Sequence, residues 1–260
     1  MIEDLRIDRV GPIDKVDLTL GRLTVITGAN GTGKTSVLRA LQSALGEPDL
    51  PADAQSVVIA GTRRRGWKAG QPVEGPGPWP MAVPLRLQPA ELARPSALSS
   101  SPVLLDPLGT GLAGAVARGL LADPSLHDRL VADLAQVAPG VQRIRAVPTS
   151  DGLLRLRLDL ERAPDVPQER LGGGTLAALG LLTVFHAQPR EHGVLLLIDD
   201  IETCLHSDAQ RALVQVLARA PAGLQIVLTT HSSHVVDAAG AENTWVLGRN
   251  AEGRTTALLI

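Results

Sequence analysis

Gly28-Ala29-Asn30-Gly31-Thr32-Gly33-Lys34-Thr35 reads G-x-x-x-x-G-K-T, and its surroundings decide its meaning. An apolar run (Leu23, Val25, Ile26) precedes it, and Ser36 to Leu45 has the composition of a helix. A strand sets such a loop rigidly, and the glycines let backbone N–H groups face inward around a phosphate. The helix behind adds the positive end of its dipole. Lys34 can reach the β- and γ-phosphates, and Thr35 Oγ can ligate Mg²⁺. Asn30, Gly31, Thr32, Gly33, Lys34, Thr35 and Ser36 are therefore the candidate nucleotide-binding residues. A glycine-rich turn without function is the competing reading, and the agreement of strand, loop, Lys-Thr and helix counts against it.

Working outward, the N-terminal side holds two alternating stretches, residues 2–10 and 15–20, read as half-buried strands joined by Gly11-Pro12. Ser56–Ala60 reads as another strand. Residues 61–80, rich in Gly, Pro, Arg and Trp, read as a loop or lid, and residues 88–102 stay rich in Pro and Ser. Helices are expected at Gly111–Ala122 and His127–Val137, and a strand pair at Val141–Val147 and Leu153–Leu160. A third helix opens at Gly172–Gly174. Val194–Ile198 and Gln225–Thr230 are continuous apolar runs, as in parallel strands buried on both faces. Ser207–Ala220 is amphipathic, and two short strands close the chain. The expected fold class is α/β: a phosphate-loop core with a parallel central sheet and an antiparallel β-subdomain at the N-terminus. The whole of 1–260 reads as one domain, with an inserted lobe at about 61–170.

Two further strand ends carry chemistry. Val194–Ile198 runs into Asp199 and Asp200, and ligands in open parallel sheets sit at the carboxyl ends of strands. Asp199 is the candidate metal ligand with Thr35. Thr229-Thr230-His231 ends the next strand, where His231 can touch a γ-phosphate or position water. Leu171-Gly172-Gly173-Gly174-Thr175 precedes an apolar helix and offers a second row of N–H donors. A flexible hinge is the plainer reading of those glycines taken alone.

The order of these four motifs resembles the ATP-binding-cassette ATPases, and within them the RecF/SMC/OLD-like branch. Asn30–Thr35 is similar to that branch's N-G-[ST]-G-K-[ST], and Leu171–Leu176 to its L-S-x-G-T-L signature. Ile198-Asp199-Asp200-Ile201-Glu202 with Leu205-His206 is similar to I-D-E-I-E…L-H, and Thr229-Thr230-His231-Ser232 to T-T-H-S. The resemblance implies a Mg-ATP sandwich between two heads, with Gly172, Gly173, Gly174 and Thr175 of one facing the γ-phosphate held by the other. Residues around His206 would lie near the seam. Asp200 stands where the family usually has the Glu that activates water, and Gly172 where it often has Ser. The implied activity is ATP hydrolysis, slowed at Asp200, serving as a switch or energy module in DNA repair, genome maintenance or phage defence. An ATP-sensing module with incidental turnover, or a transporter's ATPase subunit, are the alternatives. The metal-meeting glutamine is open between Gln55 and Gln71, and the adenine-stacking residue is unassigned, with Arg6 or Arg9 as substitutes.

Composition bounds the partners. Hydrophobic residues make up 44% of the 260, enough for a sizeable core, and the net charge of −2 gives no electrostatic push toward nucleic acid. Three Trp, one Phe and no Tyr cannot build a base-stacking platform. Arg63-Arg64-Arg65 with Trp67 and Lys68 is the one basic cluster, read as a solvated loop before a nucleic-acid contact. One cysteine, Cys204, excludes an internal disulfide. The acidic opening Met1-Ile2-Glu3-Asp4 and the short apolar runs imply a cytoplasmic protein with no membrane span. About thirty residues follow His231, with no carboxylate cluster for two metals, so a nuclease would be a separate polypeptide.

Overall fold

The computed structural model describes residues 1–46, 54–60, 64–68, 71–74, 79–98, 105–187 and 193–260. The chain is mixed α/β and divides into two compact units. The first is Met1–Pro84, Arg190–Ile201 and Ala218–Ile260; the second is Leu85–Pro189 with Glu202–Leu217.

The first unit opens with β1 (Asp4–Val10), β2 (Ile13–Thr19) and β3 (Leu23–Gly28), followed by α1 (Lys34–Leu45). β1 and β2 pair antiparallel, Leu5 opposite Leu18 and Ile7 opposite Val16, so one face is apolar as the alternation requires. They join β4 (Ser56–Ala60), β5 (Arg64–Lys68) and β6 (Gln71–Glu74) in a five-stranded sheet ordered β2-β1-β4-β5-β6. Composition alone reads 64–68 and 71–74 as loop, but cross-strand pairing overrides it. Gly66 lies opposite Val58, and Pro72 sits on edge strand β6, where a missing N–H is tolerated. Residues 61–63, 69–70 and 75–78 of the expected lid lie outside the described residues, as do 99–102.

The second sheet has six strands, ordered β14-β13-β3-β12-β11-β7. The new members are β7 (Met81–Leu85), β11 (Val194–Ile198), β12 (Leu224–Thr230), β13 (Thr244–Arg249) and β14 (Thr255–Leu259). β3, β11, β12 and β13 run parallel. Every residue of β11 and β12 is buried, the signature of strands covered on both faces. Helix α1 packs between the two sheets: Val37, Leu41 and Ala44 share one core with Ile7, Val57 and Ile59 on one side and Ile26, Leu197 and Val227 on the other.

The second unit holds α2 (Pro89–Leu92), α3 (Leu112–Ala122), α4 (Leu126–Val137), α5 (Gly173–Ala187) and α6 (Ser207–Leu217). It also holds the antiparallel strands β8 (Val141–Pro148), β9 (Leu154–Leu160) and β10 (Ala163–Pro167). α5 is apolar around most of its circumference and buried from Leu176 to Phe185, packed by α2, α3, α4 and α6. β10 extends the expected strand pair to three. Its two prolines disguise it, and it is an edge strand carrying a register shift at Asp165 (φ 61°).

Candidate functional site

Strand register builds the site. Leu228 lies level with both Ile198 and Val25, so the carboxyl ends of β3, β11 and β12 end together in the first unit. Gly28, Asp199, Asp200, Thr229, Thr230 and His231 all lie on that edge.

The phosphate loop spans the gap from β3 to α1. Gly33 takes φ 101°, and a Cβ there would fall 2.7 Å from Ile13, so only glycine fits. Lys34 is 6% exposed, and its ammonium donates to the carbonyls of Gly28 (2.9 Å) and Ala29 (3.0 Å). Thr32 Oγ1 donates to the Ala29 carbonyl at 2.9 Å, closing the loop on itself. Asn30 and Gly31 are exposed at its tip. Ser36 lies in the first turn of α1, its Oγ 3.0 Å from where a Cβ on Gly11 would stand, so it faces the β1–β2 turn.

Thr35 Oγ1 donates to Asp199, 3.1 Å from Oδ1 and 3.2 Å from Oδ2. Asp199 is 9% exposed and accepts a second hydroxyl, Thr229 Oγ1 at 2.7 Å. Thr229 is fully buried, and its oxygen in turn accepts the backbone N–H of Asp200 at 2.9 Å. Asp200 takes φ 54°, a left-handed conformation that Asp tolerates better than most side chains. His231 is exposed beyond the end of β12.

In the second unit, Gly172 immediately precedes α5, whose first residue is Gly173. A Cβ on Gly174 would meet the Cys204 carbonyl oxygen at 2.6 Å, so the helix start packs too closely on that loop for any side chain. Gly172 has room: its Cβ would meet only Thr175 Oγ1, at 4.0 Å. His206 Nδ1 accepts the Ala209 N–H at 3.3 Å, which caps α6. Of the adenine candidates, Arg6 is engaged by Asp17 at 2.5 Å and Arg9 is exposed at φ 49°. Gln55 is exposed beside β4; the side chain of Gln71 lies outside the described residues, as do Arg63 and the side chains of Arg64 and Trp67.

The residues fit Mg²⁺ and a nucleotide. A hydroxyl and a buried carboxylate about 3 Å apart are hard oxygen donors, and the described residues hold no cluster of three or more His, Cys, Asp or Glu. Thr35 Oγ1 and Asp199 would hold a divalent ion there, with phosphate and water oxygens as the remaining donors.

Comparison with known proteins agrees with this geometry. A family model for an AAA domain of the AbiEii type (Type IV TA system) matches residues 112–237, and a second AAA-domain model matches residues 4–72. No curated protein matches the sequence. An Smc head bound to the C-winged helix domain of ScpA superposes with TM-score 0.71 at 15% identity, over 99% of this chain and 97% of that one. This is the fold of an ABC/SMC-like ATPase head. An Smc head with an extended coiled coil from Pyrococcus furiosus, bound to the C-terminal domain of ScpA, gives TM-score 0.63 at 14% identity over 99% and 95%. The SMC head from Thermotoga maritima gives 0.58 at 16% over 100% and 98%. The head fold and the two AAA matches support an ATP-binding ATPase module. Among the described residues no helix is long and apolar enough to cross a membrane.

Sequence reasoning missed three residues that shape the candidate site: Thr229, Arg249 and Thr255. Arg249 Nη2 donates to the Gly31 carbonyl at 2.8 Å, and Thr255 Oγ1 lies 2.9 Å from the Pro12 carbonyl and 3.1 Å from that of Thr32. Thr229 lies within the Thr229–Ser232 motif; the other two lie in β13 and β14, with no motif to mark them.

Proposed function

We propose that the chain is a Mg-ATP-driven switch that hydrolyses ATP slowly. The observation that carries it is the Thr35–Asp199 pair, which joins the phosphate loop to the acidic strand end across 164 residues of sequence. Lys34 exchanges its two loop carbonyls for phosphate oxygens, and the loop N–H groups from Asn30 to Thr35, continued by Ser36, enclose the phosphates. Thr35 and Asp199 would hold the Mg²⁺, which would supply neutralisation of the phosphate charge. Asp200 takes the proton of the attacking water and His231 orients the γ-phosphate end. Asp is one methylene shorter than the Glu of similar ATPases, and a ~1 Å misplacement costs on the order of 100-fold in rate.

Two such heads would face each other, Gly172, Gly173, Gly174 and Thr175 of each closing on the ATP of its partner, with residues near His206 at the seam. Residues 1–260 would act as one ATPase domain with its lobe inserted at about 61–170. The resulting switch would drive a separate cytoplasmic effector, such as a nuclease, in DNA repair, genome maintenance or phage defence. The Smc heads crystallised with ScpA domains support a head that works through a second protein. Nucleic-acid contact rests only on the Arg63–Arg65 cluster. The second reading is an ATP sensor with incidental turnover, favoured by the left-handed backbone that suits Asp200.

Single-turnover hydrolysis, with the protein in saturating excess over Mg-ATP, tests the reading. Lys34→Ala abolishes it. Asp200→Glu accelerates it by roughly tenfold or more as the carboxylate regains its reach. A slower Glu variant that still binds Mg-ATP and keeps the wild-type melting temperature overturns the slow-switch assignment in favour of the sensor.

A further inference from the structure

The phosphate loop is braced from outside by the hairpin that closes the chain. Parallel register sets Leu247 of β13 level with Gly28 of β3. The approach is so close that a Cβ on Gly28 would lie 2.1 Å from the Leu247 carbonyl oxygen. Two residues further on, Arg249 ends β13, and its Nη2 reaches the Gly31 carbonyl at 2.8 Å. Across the hairpin, Thr255 is 3% exposed and shares its one hydroxyl proton between the Pro12 and Thr32 carbonyls. Asn250 Oδ1 accepts the N–H groups of Glu252 (3.1 Å) and Arg254 (2.9 Å), so the turn between these two residues is itself tied.

Thr255 is a positioning residue for the loop. Arg249 brings something more. It is exposed, the Gly31 carbonyl is its hydrogen-bond partner, and no described carboxylate lies within ion-pair distance of it. A guanidinium carries five N–H donors, so one bond leaves most of them uncommitted. Lys34 and the α1 N-terminus, the latter worth roughly half an elementary charge, leave a metal-bound triphosphate with residual negative charge. A cation held at the loop's tip by a hydrogen bond, with no described carboxylate beside it, is suited to offset it.

The geometry points to Arg249 as a nucleotide-recognition residue: its guanidinium braces Gly31 and sets a second positive charge beside the polyphosphate, so that the head favours ATP over ADP. This rests on the proposed Mg-ATP site. The alternative, a purely mechanical brace, predicts equal losses for every nucleotide, whereas a charge acts more strongly on the ligand with more phosphates and weakens with salt.

The test is equilibrium binding of Mg-ATP and Mg-ADP to wild type, Arg249→Met and Arg249→Lys at low and high ionic strength, with melting temperatures recorded. Arg249→Met keeps the apolar stem and removes the charge. It weakens ATP roughly fivefold and ADP less, and the gap narrows in high salt. Arg249→Lys restores most of the ATP preference. Equal losses for ATP and ADP, or a Met variant that binds both as wild type does, overturn the assignment. If wild type itself binds neither nucleotide, the Mg-ATP reading fails and takes this one with it; wild-type binding unchanged in Arg249→Met fails Arg249 alone.

Discussion

One hydroxyl ties both acidic residues at the end of β11, one by its carboxylate and the other by its backbone N–H. Thr229 Oγ1 donates to Asp199 and accepts from the Asp200 N–H, so the proposed metal ligand and the residue beside it are held together. Replacing it by Val takes this acceptor from the part-buried Asp200 N–H and removes one donor from Asp199, and a buried hydrogen bond left unmade costs about 1–3 kcal/mol. Thr229→Val is therefore expected to slow ATP turnover by roughly 10- to 100-fold while Mg-ATP affinity changes little, because Lys34 and the loop amides are untouched. Thr229→Ser restores turnover, since Ser offers the same oxygen. Steady-state kinetics beside nucleotide binding separates these outcomes, and a Val variant with wild-type turnover refutes the role. The contrast with Lys34 explains what sequence can show. The phosphate loop is legible because all its chemistry lies within eight residues. Asp199 is legible because an apolar strand ends on it. Thr229 depends on β11–β12 register across thirty residues, and a buried Thr in an apolar run reads as strand filler.

Elements were readable wherever hydrophobic periodicity was strong and uninterrupted, as in α1, α4, β9, β11 and β12. The misses share one cause. β6, β7 and β10 each contain Pro, and composition around β5 is Gly- and Arg-rich, yet β6, β7 and β10 all lie at sheet edges, where a missing donor costs little. Side chains at an element's end are equally hard to foresee. The N-terminus of α4 is fastened by Asp123, whose Oδ1 accepts the N–H (3.0 Å) and hydroxyl (2.6 Å) of Ser125 and whose Oδ2 accepts Arg129 Nη2 at 2.7 Å. The Ser125 hydroxyl first, then Arg129, hold the Asp123 carboxyl down at about 2 against an ordinary value of 3.8. A carboxyl lowered on folding adds stability that is present above its ordinary value and is lost as pH falls through the lowered one. Stability of wild type should therefore decline between pH 3.8 and about 2 more steeply than that of Asp123→Asn, which lacks the titrating group. Chemical denaturation followed by helical circular dichroism across that window reads the difference, and parallel profiles would refute it.

At the scale of the whole molecule, the phosphate loop belongs to one compact unit and the glycine signature to the other. The proposed sandwich makes these two features work in trans, and that can be tested without any knowledge of the effector. Lys34→Ala removes the ammonium proposed to grip phosphate but leaves Gly172–Thr175 intact. Gly172→Asp leaves the loop intact and sets a carboxylate where the partner's γ-phosphate would sit. The new side chain has space, since a Cβ there meets only Thr175 Oγ1 at 4.0 Å, so the variant should fold. Each variant alone is expected to be inactive. Mixed in equal amounts with Mg-ATP, about half of the pairs would be mixed, and each mixed pair would keep one of its two sites whole, returning roughly a quarter of wild-type hydrolysis. A site complete within one chain predicts something different: Lys34→Ala stays dead, Gly172→Asp keeps its own activity, and the mixture shows only their average. Activity that appears on mixing two inactive proteins has no source except a site shared between chains, so its absence, with both variants folded, would remove the sandwich from the mechanism.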